Sequence, residues 1–245
     1  MLTSRSGRSP HTGIVVALST EARHLGTAAR RRDGLATLRD GTLLAVTGVG
    51  RAAAGQGASR LVAADCRALV SFGLAGGLDP ALSPGTILVP DEVMLEACGG
   101  TLPAAPAWCA SAVRSLGEDR SVQRGRLLTS LHALSTVVAK AAAFRATGAV
   151  AVDMESFAVA EVAQAHQLPF LAVRVVVDGA ADELPHALAG VMSPSGALSL
   201  ARLIGRLVAE PASLAPLARL ALRYAAARRS LRLIAQADAL RPHVR

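Results

Sequence analysis

The stretch AVAVDMESFAVAEVAQAHQLPFLAVRVVVDGA, Ala149 to Ala180, decides the fold. It opens on a short apolar run, 149–152, of a length suited to a buried strand. Asp153 and Glu155 follow with Met154 between them, and residues 155–166 carry helical apolar spacing. Residues 170–177 are a second apolar run, rich in valine, ending at Asp178. Strand, helix and strand in that order are one unit of an α/β sheet.

The same alternation extends outward. Residues 13–18 (GIVVAL), 42–46, 68–72, 86–89 and 125–128 read as strands, and 51–64, 136–145, 197–208 and 213–237 as helices. The last helix is apolar at Leu214, Leu217, Ala221, Tyr224 and Leu231. Arg30 to Gly34 reads as an exposed turn, and 97–124, which hold the only Trp, as a loop-rich excursion. The predicted fold is α/β: a single three-layer α/β/α domain with a central mixed sheet over residues 13–210. A flexible arm, 1–12, precedes it, and a basic helical extension, 211–245, follows.

Composition supports a packed domain. Of 245 residues 51% are hydrophobic but only 2% aromatic, so the core must be Ala, Val and Leu. That composition excludes disorder, coiled coil and collagen. Charge-free windows are broken by Pro and Gly, so no transmembrane helix is expected, and the polar, basic opening gives no signal peptide. Cys66, Cys98 and Cys109 are scattered, which argues against a disulfide framework and for a reducing, cytoplasmic setting. The net charge of +8 is uneven: residues 212–245 hold seven Arg against one Asp. Either arginine is simply the tolerated basic residue here, or the tail is drawn to an anionic surface. Of the 26 basic residues, only Lys140 is lysine.

In open α/β sheets ligands bind at the carboxyl ends of strands. Glu21, Asp153, Glu155 and Asp178 each follow a strand-like run. Asp153 also suits the cap of the helix that follows. Glycines at 48 and 50 and between 73 and 77 let backbone approach a ligand closely. Neither group is a GxGxxG or Walker loop. There is no GxSxG and no HExxH, and the six histidines are dispersed, so neither serine-hydrolase nor metal chemistry is expected. Arg174, inside an apolar strand, needs a buried carboxylate partner.

Four blocks, in order, carry a family resemblance: GIVVALSTEARHL from Gly13, TGVGRAAAGQGA from Thr47, VSFGLAGGLDPALSPGTILVPDEV from Val70, and the stretch from Ala149. Over residues 13–210 the chain resembles the nucleoside phosphorylase and nucleosidase superfamily, especially its methylthioadenosine/S-adenosylhomocysteine nucleosidase branch. TGAVAVDMES and the tail SLAPLARLALRYAAARRSLRLI are most similar to the hopanoid-associated phosphorylases. The resemblance implies removal of adenine from adenosylhopane in hopanoid synthesis. It implies no metal or organic cofactor, with phosphate as the one co-substrate to weigh. A homo-oligomer is expected; the few aromatics available for base stacking and the confinement of excess charge to the tail argue against nucleic acid, and the basic tail could meet a membrane peripherally.

By the same resemblance Asp178 is the acid that protonates the departing purine, Glu155 grips the ribose hydroxyls and Met154 packs on the sugar. Asp153 stands where the nucleosidases carry Glu. Glu21 matches the glutamate that orients an attacking water, which favours hydrolysis. Leu74, beside Gly73, replaces a serine expected in both branches. That puts a phosphate site in doubt, although Arg23, Arg51 and the Gly48 loop are candidate substitutes. His132 falls near an aromatic that stacks on adenine. The rivals are another purine nucleosidase specificity, of methylthioadenosine or futalosine type, and a non-catalytic nucleoside-binding or nucleic-acid-associated protein.

Overall fold

Runs such as LVSFGLAGG and FLAVRVVVD have no polar alternation, and they form strands buried on both faces. The computed structural model describes residues 11–26, 28–30, 33–117, 122–183 and 214–242. Its strands are β1 (His11–Val16), β2 (Ala28–Arg30), β3 (Ala36–Leu38), β4 (Leu43–Val46), β5 (Cys66–Gly77), β6 (Ile87–Leu88), β7 (Glu92–Leu95), β8 (Thr101–Pro103), β9 (Val122–Gln123), β10 (Arg126–Thr129), β11 (Ala151–Asp153) and β12 (Phe170–Asp178). Its helices are α1 (Ser19–Ala22), α2 (Arg51–Ala63), α3 (Pro106–Leu116), α4 (Val137–Thr147), α5 (Ser156–Ala165) and α6 (Leu214–Gln236).

The sheet runs β2-β3-β4-β1-β5-β11-β10-β7-β8, with β12 on β5 and β6. It is mixed, as the sequence leads one to expect: β1, β4, β5 and β12 pair in parallel, while β11 joins β5 antiparallel. Ala-rich α2 and α5 pack on each other, α2 against β1 and α5 against β5 and β12. Their buried faces are small residues, Ala54, Ala58, Ala160 and Ala163 among them, so few aromatics are needed to fill the interface.

Several sequence expectations shift. The first strand begins at His11, inside the stretch assigned to the arm. The rest of that arm lies outside the described residues, as does the helix expected over 197–208. Of the stretch 97–124 expected to be loop-rich, the described residues form β8, α3 and β9. Pro106 starts α3 at a position where its missing N–H is harmless, and Trp108, Cys109, Ala112 and Leu116 bury one face of the helix. The short hairpin β2–β3 flanks the Arg30–Gly34 turn and was not foreseen. On α6 the described buried residues are Ala227, Ser230, Leu231 and Ile234, whereas Ala221 is exposed; the side chains of Leu214 and Leu217 lie outside the described residues. The helix is therefore fixed by packing on β12 and by Ser230 Oγ, which donates to Gly85 O at 2.6 Å. No described helix is long and apolar enough to cross a membrane.

Candidate active site

Gly76 on β5 is the point where the site assembles. Val152 of β11 lies against it on one side and Asp178 of β12 on the other. The β12 register slips between Val176 and Asp178. The strands β1 and β4 end in the same region, delivering α1 and the Gly48–Gly50 turn. A cavity of about 180 Å³ results, lined by Glu21, Leu74, Asp153, Met154, Glu155 and Asp178 together with apolar atoms of Leu18, Val49, Leu134 and Val177. Six of the residues singled out from sequence thus meet in one cleft.

Each acid is held by identifiable partners. Glu21 Oε2 accepts from Leu18 N–H and Oε1 from Leu74 N–H, both at 2.9 Å. Burial pushes its carboxyl above the usual range, and the nearby Arg174 charge opposes that rise. Glu155 Oε1 accepts from Gly50 N–H at 2.8 Å, tying the turn after β4 to the start of α5. Its carboxyl is pushed up to about 7, first by burial and then by the neighbouring Asp153 charge. Asp178 is also raised by burial, which outweighs the pull of Lys140.

Asp153 behaves as the cap that one reading of the sequence expects. Its Oδ2 accepts from Ser156 N–H at 3.0 Å at the start of α5, and its Oδ1 from Thr129 Oγ1 at 2.7 Å. Arg174 pairs with Asp153 Oδ2 at 2.6 Å and donates to Ser71 Oγ at 2.6 Å and to Ser156 Oγ. This is the buried partner that a guanidinium inside an apolar strand requires. The Asp153 carboxylate is thereby spent on protein groups rather than facing the cavity unengaged.

Gly73 is where backbone and acid come closest. A Cβ there would stand 2.6 Å from Glu21 Oε1 and would also meet Arg174. Gly73 therefore serves by giving Glu21 room. Gly48 contributes through its turn, donating its N–H to Ala17 O at 2.9 Å. His132 is exposed and is not among the residues lining the cavity; its carbonyl accepts from Ser130 Oγ at 2.6 Å. The chain turns there so that Ser130, Ala133 and Leu134 line the cavity instead. Arg23 and Arg51 also fall outside it. Arg51 pairs with Glu161 at 2.8 Å and stacks over Phe157, and Arg23 faces α6 alongside Arg228 and Arg232. Among the described residues, no arginine or lysine lines the cavity.

Sequence reasoning missed Lys140. Its side chain is 0% exposed and pairs with Asp178, and Nζ donates to Gly179 O at 2.8 Å and Asp182 O at 2.9 Å. The available signal was its being the one lysine in an arginine-rich chain.

Residues 16–209 match the model of the phosphorylase superfamily. A futalosine hydrolase from Streptomyces coelicolor is 34% identical over 152 residues, which are 54% of this chain and 64% of that protein. This chain thus spans under two thirds of that relative's length. An S-adenosylhomocysteine nucleosidase from Streptococcus pyogenes, solved with 5-methylthiotubericidin, superposes with TM-score 0.66 at 22% identity, covering 72% of this chain and 87% of that one. Futalosine hydrolase of Helicobacter pylori gives 0.64 at 16% identity, over 82% and 98%. These likenesses establish the fold.

Proposed function

The chain belongs to the phosphorylase superfamily, and on that footing we propose that it cleaves the N-glycosidic bond of a purine nucleoside with water as the attacking group. The observation that carries this reading is the convergence of Glu21, Glu155 and Asp178 on one cavity. As the C1′–N bond breaks, its electrons pass to the base, and Asp178, whose carboxyl burial raises above its ordinary range, hands that base a proton. Glu155 accepts hydrogen bonds from the ribose hydroxyls, which strengthen as positive charge grows on the sugar. Glu21, its orientation set by two backbone N–H groups, aligns the water and takes its proton. Met154 supplies a soft apolar contact to the sugar.

Water is favoured over phosphate because a phosphate dianion needs arginine, lysine or converging N–H donors. Neither cation occurs in the cavity lining among the described residues. For the nucleoside itself we favour adenosylhopane, the substrate implied by the sequence resemblance. Leu18, Val49, Leu74, Leu134 and Val177 give walls suited to an apolar 5′ substituent. The similarity to a futalosine hydrolase supports a second reading, a soluble nucleoside of futalosine type. A homo-oligomer, and peripheral contact of α6 with anionic headgroups, are further proposals. Light scattering and vesicle sedimentation test them.

Purified protein is incubated with adenosylhopane, futalosine and methylthioadenosine, with and without phosphate, and free base is measured. Base release without phosphate is the expected outcome, and strict phosphate dependence overturns the choice of water. Rapid futalosine turnover with adenosylhopane untouched overturns the lipid substrate. Asp178→Asn is expected to slow turnover about 10²–10⁴-fold while sparing nucleoside binding. An unimpaired rate would remove Asp178 from its role.

A further inference from the structure

Lys140 is used by none of the steps above, yet it is a fully buried cation in contact with the proton donor. An isolated buried ammonium is costly, and here all three of its donors are placed: on the Asp178 carboxylate, on Gly179 O and on Asp182 O. The seat is itself braced. Asp182 Oδ2 accepts from Gly179 N–H at 2.9 Å, and Arg223 of α6 pairs with Asp182 Oδ1 at 2.5 Å. The turn that follows β12 is therefore shaped around Nζ and locked from the C-terminal helix.

The residue type matters. The chain carries 26 basic residues, and 25 of them are arginine. A guanidinium is a planar fork suited to paired oxygens in one plane, whereas an ammonium is compact and points three donors outward. Three acceptors from three residues around one nitrogen fit the ammonium. The one lysine among 25 arginines stands where three acceptors surround a single nitrogen.

We propose that Lys140 is a positioning residue that orients Asp178 and takes up the negative charge left on it when its proton passes to the departing base. This rests on the assignment of Asp178 as the acid. Bond by bond, the Asp178 O–H breaks and a purine N–H forms. The C1′–N electron pair stays with the base, and Lys140 keeps its protons throughout. The ammonium is preorganised beside the oxygen where charge develops, so no reorientation is needed at the moment of transfer. Lys140 on α4, Asp182 in the turn after β12 and Arg223 on α6 are the charged groups that act on Asp178. Glu21, Asp153 and Glu155 line the same cavity.

The test is a carboxyl-¹³C NMR titration of the full chain labelled at aspartate, with the Asp178 signal assigned by its loss in Asp178→Asn. It needs no substrate. Lys140→Met keeps the linear side chain and removes the charge. Its Asp178 midpoint is expected to move up by about 1–3 pH units, and the alkaline limb of base release from the nucleoside substrate to move with it. Lys140→Arg is expected not to restore the parent midpoint. An unmoved midpoint in Lys140→Met overturns the proposal, as does full restoration by arginine. Should Asp178→Asn retain full turnover, the acid assignment fails, and the titration still reports whether Lys140 governs that carboxyl.

Discussion

Glu155→Gln is expected to make the protein more stable at neutral and alkaline pH while removing its grip on ribose. The buried Glu155 carboxyl has its proton affinity raised from 4.5 to about 7. The unfolded chain ionises near 4.5, and the folded chain resists ionisation until about 7. The carboxyl thus favours the fold fully below pH 4.5, and that contribution is lost progressively as pH rises to about 7. Above that point the loss is constant. At about 1.4 kcal/mol per unit, the loss reaches up to about 3 kcal/mol. Glutamine never ionises; its amide oxygen can keep the Gly50 N–H bond, at the loss of the longer 3.3 Å bond that Glu155 Oε2 accepts from Met154 N–H. The two proteins should therefore melt together near pH 4.5 and separate by several degrees at about pH 8.5, since each kcal/mol moves Tm by roughly 2–4 °C at this chain length. The assay is thermal unfolding of parent and variant across that range. A variant no more stable than the parent at high pH would refute the argument that burial, rather than a stabilising partner, dominates Glu155.

Two further substitutions probe the frame around the site. Arg174→Met leaves Asp153 buried without its cation and is expected to cost about 3–5 kcal/mol, read by urea unfolding at neutral pH; a loss below about 1 kcal/mol would mean that Thr129 and the α5 N-terminus suffice for Asp153. Gly73→Ala sets a methyl against both Arg174 and Glu21 Oε1 and is expected to lower Tm and, in the folded fraction, kcat for base release severalfold or more. Turnover at the parent level would show that Glu21 can shift without loss.

Much of this arrangement is legible in the sequence. The strand–helix–strand from Ala149 to Ala180 announced itself through periodicity, and the acids that end its strands are the ones that line the cleft. Periodicity also suggested Arg174 would need a carboxylate, and Asp153 supplies it. What sequence concealed depended on tertiary contacts. In the His132 loop Leu131 and His132 are exposed while Ser130, Ala133 and Leu134 line the cavity, a division that no local pattern encodes. Lys140 sits on a helix of weak amphipathic pattern, and its three acceptors lie about forty residues away in sequence. On α6 the spacing picks out Leu231, which is buried, but also Ala221, which is exposed; arginines lie among the alanines and leucines there, so packing on β12 decides which face is inside.

The solitary lysine also gives the protein a built-in reporter. Amine-reactive reagents meet no side-chain amine on the native surface, because the single ε-amino group has no solvent exposure. Apart from the chain's α-amino terminus, modification must wait for the segments around α4 and β12 to part. When opening and closing are fast relative to the reagent, the rate of labelling at Lys140 measures the free energy of that opening. A ligand seated in the cleft would slow the labelling in proportion to its occupancy, so one chemical reaction could follow both unfolding and binding.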